Sequence, residues 1–274
     1  MSDATKSLLG KATDYSQEYS PALLFPLDRQ LNRQSLPFGE SLPFHGEDIW
    51  TGYEVSWLNP KGKPLVAIAD FHFPAASVCM IESKSFKLYL NSLNHEKFPD
   101  AETVKDTLEK DLSDAAGAKV SVYLRSVSDV DTGLSDSQEY ICLDELDVVC
   151  DDYQPNPALL LCQNEQVSEA LCSHLLRSNC PVTGQPDWAS IYITYSGRRI
   201  NAESLLQYLV SFRQCQDFHE HCVERIFSDL MAKCECTSLS VYARYTRRGG
   251  LDINPYRATF DLPGAAPKFR TPRQ

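Results

Sequence analysis

Apolar and polar residues alternate, then shift to helical spacing, then alternate again, and the whole series occurs twice along the chain. Ile49–Leu58 and Pro64–Phe73 read as strands, joined by the turn residues Asn59-Pro-Lys-Gly62. From Glu82 to Leu93 the spacing becomes helical, with Phe86, Leu90 and Leu93 on one face. Asp100 is placed to cap a second helix, striped by Val104, Leu108 and Leu112 and stopped at Gly117. Residues 119–127 then alternate Val120, Val122 and Leu124 against Ser121, Tyr123 and Arg125, the mark of a half-buried strand. The second half follows suit. Residues 167–176 and 188–195 read as strands. Residues 203–212 and a segment starting at Asp217 read as helices, and residues 238–245 as a strand.

The doubled order strand-strand-helix-helix-strand predicts an α+β protein of two units, each an antiparallel sheet with a pair of helices on one face. The expected division is residues 1–150 and 151–274, with residues 1–45 as an irregular leading arm. Helices do not alternate with strands, so a parallel βαβ sheet is disfavoured. The halves show no obvious sequence identity, so the repeat is read as architectural.

Composition narrows the classes of function. The 274 residues are 43% hydrophobic and 23% charged, enough for a core without disulfides or metal. The net charge of −11 repels phosphate backbones and anionic lipid, so neither nucleic acid nor a membrane is expected as a partner. Ten cysteines are scattered, most of them in apolar stretches where a free thiol acts as a small hydrophobe. Residues 1–19 carry no apolar leader segment, and no apolar run approaches membrane-spanning length. A reducing cytoplasm is the expected setting.

Four segments stand out chemically. In Ser178-Asn-Cys180-Pro-Val-Thr-Gly-Gln-Pro-Asp187-Trp188, two prolines and a glycine lift Cys180 out of the periodic positions that house other thiols. Asp187 opens the next strand, where a folded-back loop brings carboxyl and thiol together for proton exchange. A free loop cysteine and a turn aspartate fit the same residues. In Asp217-Phe-His219-Glu220-His221-Cys222, Asp217 and Glu220 have the spacing of a capping-box variant, while His219 and Glu220 could instead present a donor and an acceptor to a ligand. Lys84 and Lys87 add charge at a helix start that favours anions. Arg244, Arg247 and Arg248 beside Gly249-Gly250 are the best candidates for phosphates. His219, His221, Cys222, Cys234 and Cys236 invite a zinc reading, but Cys234-Glu-Cys236 lacks a matching second pair. The phosphate loops of dinucleotide domains and P-loop proteins are absent from the sequence.

Together, Glu82-Ser-Lys-Ser-Phe-Lys-Leu-Tyr-Leu-Asn-Ser92, Ser178-Asn-Cys180 through Gln185-Pro-Asp187-Trp188, Phe218-His219-Glu220 and residues 242–255 resemble the 7-cyano-7-deazaguanine reductase family in its long, two-unit form. Leu42-Pro-Phe-His-Gly46 with Asp48-Ile-Trp50 is similar to the family's early segment. The likeness is weakest in the leading arm and over residues 128–170. It implies tandem tunnelling folds, a homodimer, and reduction of a nitrile to an aminomethyl group with two NADPH, in queuosine biosynthesis. By the same resemblance, Cys180 is the nucleophile that forms a thioimide, Asp187 the proton donor, and His219 an aid to proton delivery. Ile81, Glu82, Ser83, His219 and Glu220 would hold the base. Ser83, Lys84, Arg248 and Gly249 would hold NADPH, and no metal is implied. Two rival functions share the pattern: a zinc hydrolase akin to GTP cyclohydrolase, and a purine or pterin binder without catalysis.

Overall fold

The computed structural model describes residues 18–38, 41–129, 139–261, 266–267 and 269–274. The chain forms two compact units that interleave in sequence. Unit 1 comprises residues 1–35, 47–131 and 247–252, and unit 2 comprises residues 36–46, 132–246 and 253–274. Against the expected single cut at residue 150, residues 36–46 and 132–150 fall in unit 2 and residues 247–252 in unit 1.

Unit 1 is built on β2 (His45–Leu58), β3 (Pro64–Pro74) and β5 (Ser121–Ser126), paired antiparallel in the order β5-β3-β2. α2 (Ser83–Ser92) buries Phe86 against Trp50, Phe71 and Phe73, with ring centroids 5.1, 5.0 and 6.3 Å away. Edge-to-face pairs of this kind add roughly 0.5–1.5 kcal/mol each beyond their buried area. α3 (Ala101–Ala116) starts at Asp100, whose carboxylate accepts from Thr103 N, and stops at Gly117 with φ of 66°. The predicted helices and strands of this half are all present.

The leading arm is more ordered than its Pro- and Ser-rich sequence suggested. Residues 1–17 lie outside the described residues. After them come a 3-10 turn at Pro21–Leu23, β1 (Pro26–Asp28) and α1 (Arg29–Arg33). β1 pairs antiparallel with β4 (Cys79–Ile81), which leads straight into α2. Arg29 is buried and donates to Asp48 Oδ2 at 2.5 Å and Ser77 Oγ at 3.0 Å. Partners distant in sequence fix this arm, so no local periodicity marks it.

Unit 2 is built on β7 (Cys162–Asn179), β8 (Pro186–Ile200), β9 (Ser238–Tyr245) and β10 (Leu251–Ala258), with antiparallel pairing throughout. At the edge, β6 (Ile141–Cys142) pairs parallel with β7, an exception to the expected antiparallel pattern. Among the described residues of the acidic run 128–155, β6 is the strand. α4 (Ala202–Ser211) packs on β7, and α5 (His219–Cys234) on β7, β8 and β9. β10 was not foreseen. Its eight residues are all buried, including Asp252, Asn254 and Arg257.

The repeat extends to single hydrogen bonds. Each unit has a 3-10 turn with the sequence Pro-Ala-Leu, at Pro21–Leu23 and Pro157–Leu159. Ser85 Oγ donates to Glu82 O and accepts from Phe25 N, while Ser204 Oγ donates to Asn201 O and accepts from Leu161 N. Ser92 Oγ joins Ser20 N to Tyr89 O as Ser211 Oγ joins Asn156 N to Tyr208 O. Tyr89 donates to Asp111 at 2.7 Å, and Tyr208 to Asp229 at 2.6 Å. Ser-x₃-Tyr-x₂-Ser at 85/89/92 and 204/208/211 is therefore a sparse sequence repeat, and the two halves are more alike than their overall sequence suggested.

Candidate active site

Cys180 sits at the turn between the longest strands of unit 2. Asn179 pairs with Pro186 and Ser178 with Asp187, so β7 and β8 deliver thiol and acid to the same end of one hairpin. The connection is pinned from within: Cys180 N donates to Gln185 O at 2.8 Å and Gly184 N donates to Cys180 O at 3.0 Å. Cys180 is half-buried, while Asp187 is only 3% exposed. Both residues thus lie at the end of the β7–β8 hairpin.

A second backbone contact carries α5 to this hairpin end. Asn179 N donates to Cys215 O and Asp217 N donates to Asn179 O, so residues 215–217 lie along the end of β7. α5 starts two residues later. Its first residue, His219, has Nε2 3.4 Å from Asp187 Oδ2. The imidazole lies flat on Tyr245, with centroids 3.8 Å apart and planes 14° apart. Its Nδ1 is buried with no hydrogen-bond partner among the described residues. Burial holds the Tyr245 hydroxyl well above its ordinary pKa, and charge on Cys222 and Asp187 pushes it the same way. Tyr245 therefore stays protonated and serves as a platform. Sequence reasoning missed this residue, because an aromatic at the end of a predicted strand looks like any core aromatic.

The capping-box alternative for Asp217 and Glu220 fails. The cap residue is Phe218, which makes no side-chain cap. Asp217 instead accepts from Phe218 N and pairs closely with His221 Nδ1. Glu220 is buried in the first turn of α5. The neighbouring thiols Cys215 and Cys222 interact directly: a hydrogen bond from Cys222 lowers the Cys215 pKa, and its counterpart raises that of Cys222.

The remaining predicted residues gather in unit 1. Ile81 and Glu82 end β4 and open α2, both buried. Glu82 caps α2: Oε1 accepts from Lys84 N at 2.7 Å and Oε2 from Ser85 N at 2.8 Å. Each oxygen still has a lone pair for a further donor. Ser83 and Lys84 follow in the first turn, half-buried. Arg248 and Leu251 exchange backbone hydrogen bonds around Gly249 and Gly250, whose φ values of 60° and 75° suit a two-residue hairpin turn. A Cβ on Gly249 would lie 3.5–3.7 Å from the end of Lys87, so this turn sits beside the helix that carries Ser83 and Lys84. Arg247 stacks on Tyr53, with 4.4 Å from guanidinium to ring centre. Arg244 departs from the expected arginine cluster. It is buried in unit 2, donating to Gln274 and to the Tyr242 hydroxyl.

The zinc constellation does not assemble. Among the described residues, the group of three metal-ligating side chains that comes together is Cys142, Cys172 and His174, which shares no member with His219, His221, Cys222, Cys234 and Cys236.

A thiol, an acid and an imidazole gather at one hairpin end, in an α+β unit whose pattern recurs within the chain. Comparison with known proteins identifies the family. Residues 15–124 match the family described as "Nitrile reductase, 7-cyano-7-deazaguanine-reductase N-term", and residues 186–262 the family described as "QueF-like protein". The chain is 53% identical over 269 residues to the NADPH-dependent 7-cyano-7-deazaguanine reductase of Bordetella parapertussis, covering 97% of each. It is 54% identical over 263 residues to the reductase of that name from Dechloromonas aromatica, covering 95% of this chain and 92% of the relative. The Bordetella avium reductase is 55% identical over 264 residues, with 94% and 97% covered. The chain belongs to the NADPH-dependent 7-cyano-7-deazaguanine reductase family. Among the described residues, no helix is long and apolar enough to cross a membrane.

Proposed function

We propose that this protein reduces the nitrile of 7-cyano-7-deazaguanine to the primary amine, as a step in making the tRNA base queuosine. The observation that carries the reading is the clustering of Cys180, Asp187 and Tyr245-stacked His219 at one end of the β7–β8 hairpin.

Cys180 sulfur adds to the nitrile carbon. The thiol proton reaches the nitrile nitrogen through Asp187, giving a thioimide C(=NH)–S bonded to the protein. Addition turns a linear, weakly electrophilic carbon into a C=N carbon able to accept hydride. NADPH, which Ser83, Lys84, Arg248 and Gly249 would hold, would be the source of two hydrides, one for this carbon and one for the imine that follows. After the first transfer a proton completes the C–N–H group. Collapse then breaks the C–S bond, returning the thiol and leaving the imine. After the second transfer another proton gives the amine, so two protons are drawn from solvent in all. His219 faces Asp187 and can reload it for each of these steps.

In unit 2, Glu220, buried at the start of α5, would accept hydrogen bonds from a base beside His219. In unit 1, Glu82, with an oxygen lone pair to spare on each side, would do so beside Ile81 and Ser83. Ser83 and Lys84 at the α2 start, with Arg248 and Gly249 beside that helix, fit the charge and close approach of NADPH phosphates. The protein acts as a homodimer in the reducing cytoplasm, where Cys180 persists as a thiol.

The test follows NADPH absorbance with 7-cyano-7-deazaguanine as substrate. Two NADPH should be oxidised per amine formed, and Cys180→Ala should lower turnover by at least about a thousandfold while the base still binds. Mass spectrometry of the protein with the nitrile alone should show one adduct, on Cys180. Unchanged turnover in Cys180→Ala would sink the assignment.

A further inference from the structure

A set of soft ligands lies at the outer edge of unit 2, away from the proposed chemistry. Cys142 on β6 pairs in register with Cys172 on β7, and His174 follows two residues along β7. The two sulfurs and an imidazole nitrogen lie within 4.8 Å of one another. Ligand atoms around a tetrahedral zinc ion stand about 3.3–3.8 Å apart, as bond lengths of about 2.0 and 2.3 Å require. A small movement of exposed side chains closes that gap, and both Cys142 and His174 are exposed.

The surroundings resemble those of a metal-bound histidine. His174 Nδ1 is hydrogen-bonded to Ser190 Oγ at 2.8 Å, which fixes the ring and leaves Nε2 for a ligand bond. Asp144 accepts from Ser173 Oγ at 2.7 Å and from His174 N at 2.9 Å. Its charge is thereby held beside the thiols. A divalent ion displaces the thiol protons and is drawn by the same negative charge.

We propose that Cys142, Cys172 and His174 form a binding site for a zinc-class divalent cation, with water as the fourth ligand. Each thiol releases its proton to solvent as its sulfur–metal bond forms, and no redox change is needed. The site stands apart from Cys180, because Cys172 is separated from the end of β7 by roughly 23 Å of strand. It clamps the two-residue strand β6 to the sheet edge. That role is structural, and it does not depend on the proposed reaction.

The experiment uses the untagged, reduced, full-length chain, stripped with a chelator and titrated with Co²⁺. One equivalent should bind, with a thiolate-to-cobalt charge-transfer absorption that Zn²⁺ abolishes by displacement. Zn²⁺ should also raise the thermal midpoint of the stripped protein. Cys142→Ser and His174→Gln alter exposed side chains, so both variants should fold, and each should weaken metal binding at least about tenfold. Cys234→Ser should bind as the parent does. Absence of the charge-transfer band in the parent, or a band of unchanged affinity in Cys142→Ser, would overturn the proposal.

Discussion

α3 and α5 occupy the same place in the repeat, and both are 16 residues long, yet they begin in opposite ways. α3 opens with an aspartate that accepts from both Thr103 N and the Thr103 hydroxyl. Its first-turn Glu102 is exposed and paired with Lys105. α5 opens with Phe218, which offers no side-chain cap, and its first-turn Glu220 is buried. The second positions of both helices are glutamates, but one serves the helix and the other faces inward. A helix start that forgoes its cap has stability to lose and backbone N–H groups to offer. In this chain it is the uncapped start that reaches Asp187.

That contrast can be broken at three levels. The largest effect is expected from His219→Ala, which gives α5 the same first residue as α3. Turnover should fall about a hundredfold, with circular dichroism and thermal midpoint nearly unchanged. Turnover at the parental level would reduce His219 to packing on Tyr245. Next come the paired glutamates. Glu220→Gln should weaken binding of the base by about 1.5–3 kcal/mol, the range for a hydrogen bond to a charged acceptor, as read by titration calorimetry. Glu102→Gln should leave that affinity alone, and equal effects would erase the distinction. The smallest effect belongs to Asp100→Ala. Hydrogen bonds from Thr103 lower the Asp100 pKa below its ordinary 3.8. Its contribution is therefore complete above that value and is lost as pH falls through the depressed one. Urea unfolding should show a modest deficit at neutral pH that shrinks in acid. A deficit that stays constant with pH would mean that the carboxylate is not the cap.

Legibility followed the range of the interactions. Helices α2 to α5 were readable because their apolar stripes recur within a few residues, as with Val104, Leu108 and Leu112. β10 was not readable, because its Asp, Asn and Arg look like loop residues until their distant partners are known. Tyr53 donates to Asp252, Gln274 to Asn254, and Arg257 to Glu224. The leading arm escaped for the same reason, its Arg29 being buried against Asp48. At the candidate site, the proline-bracketed loop marked Cys180 and Asp187 as unusual, and the strand register sets both at one end of the β7–β8 hairpin. The sequence could not distinguish a capping Glu220 from a buried one, since both share the same spacing. It also held no sign of the Tyr245 platform, a ring stack between a helix start and a strand end.

The stack has a consequence for proton traffic. An imidazole held by its face against a phenol ring keeps its edge to one side, with Nε2 directed at Asp187 and Nδ1 on the opposite edge among buried groups. On the proposed reading, a proton passing from His219 to Asp187 leaves by Nε2 alone.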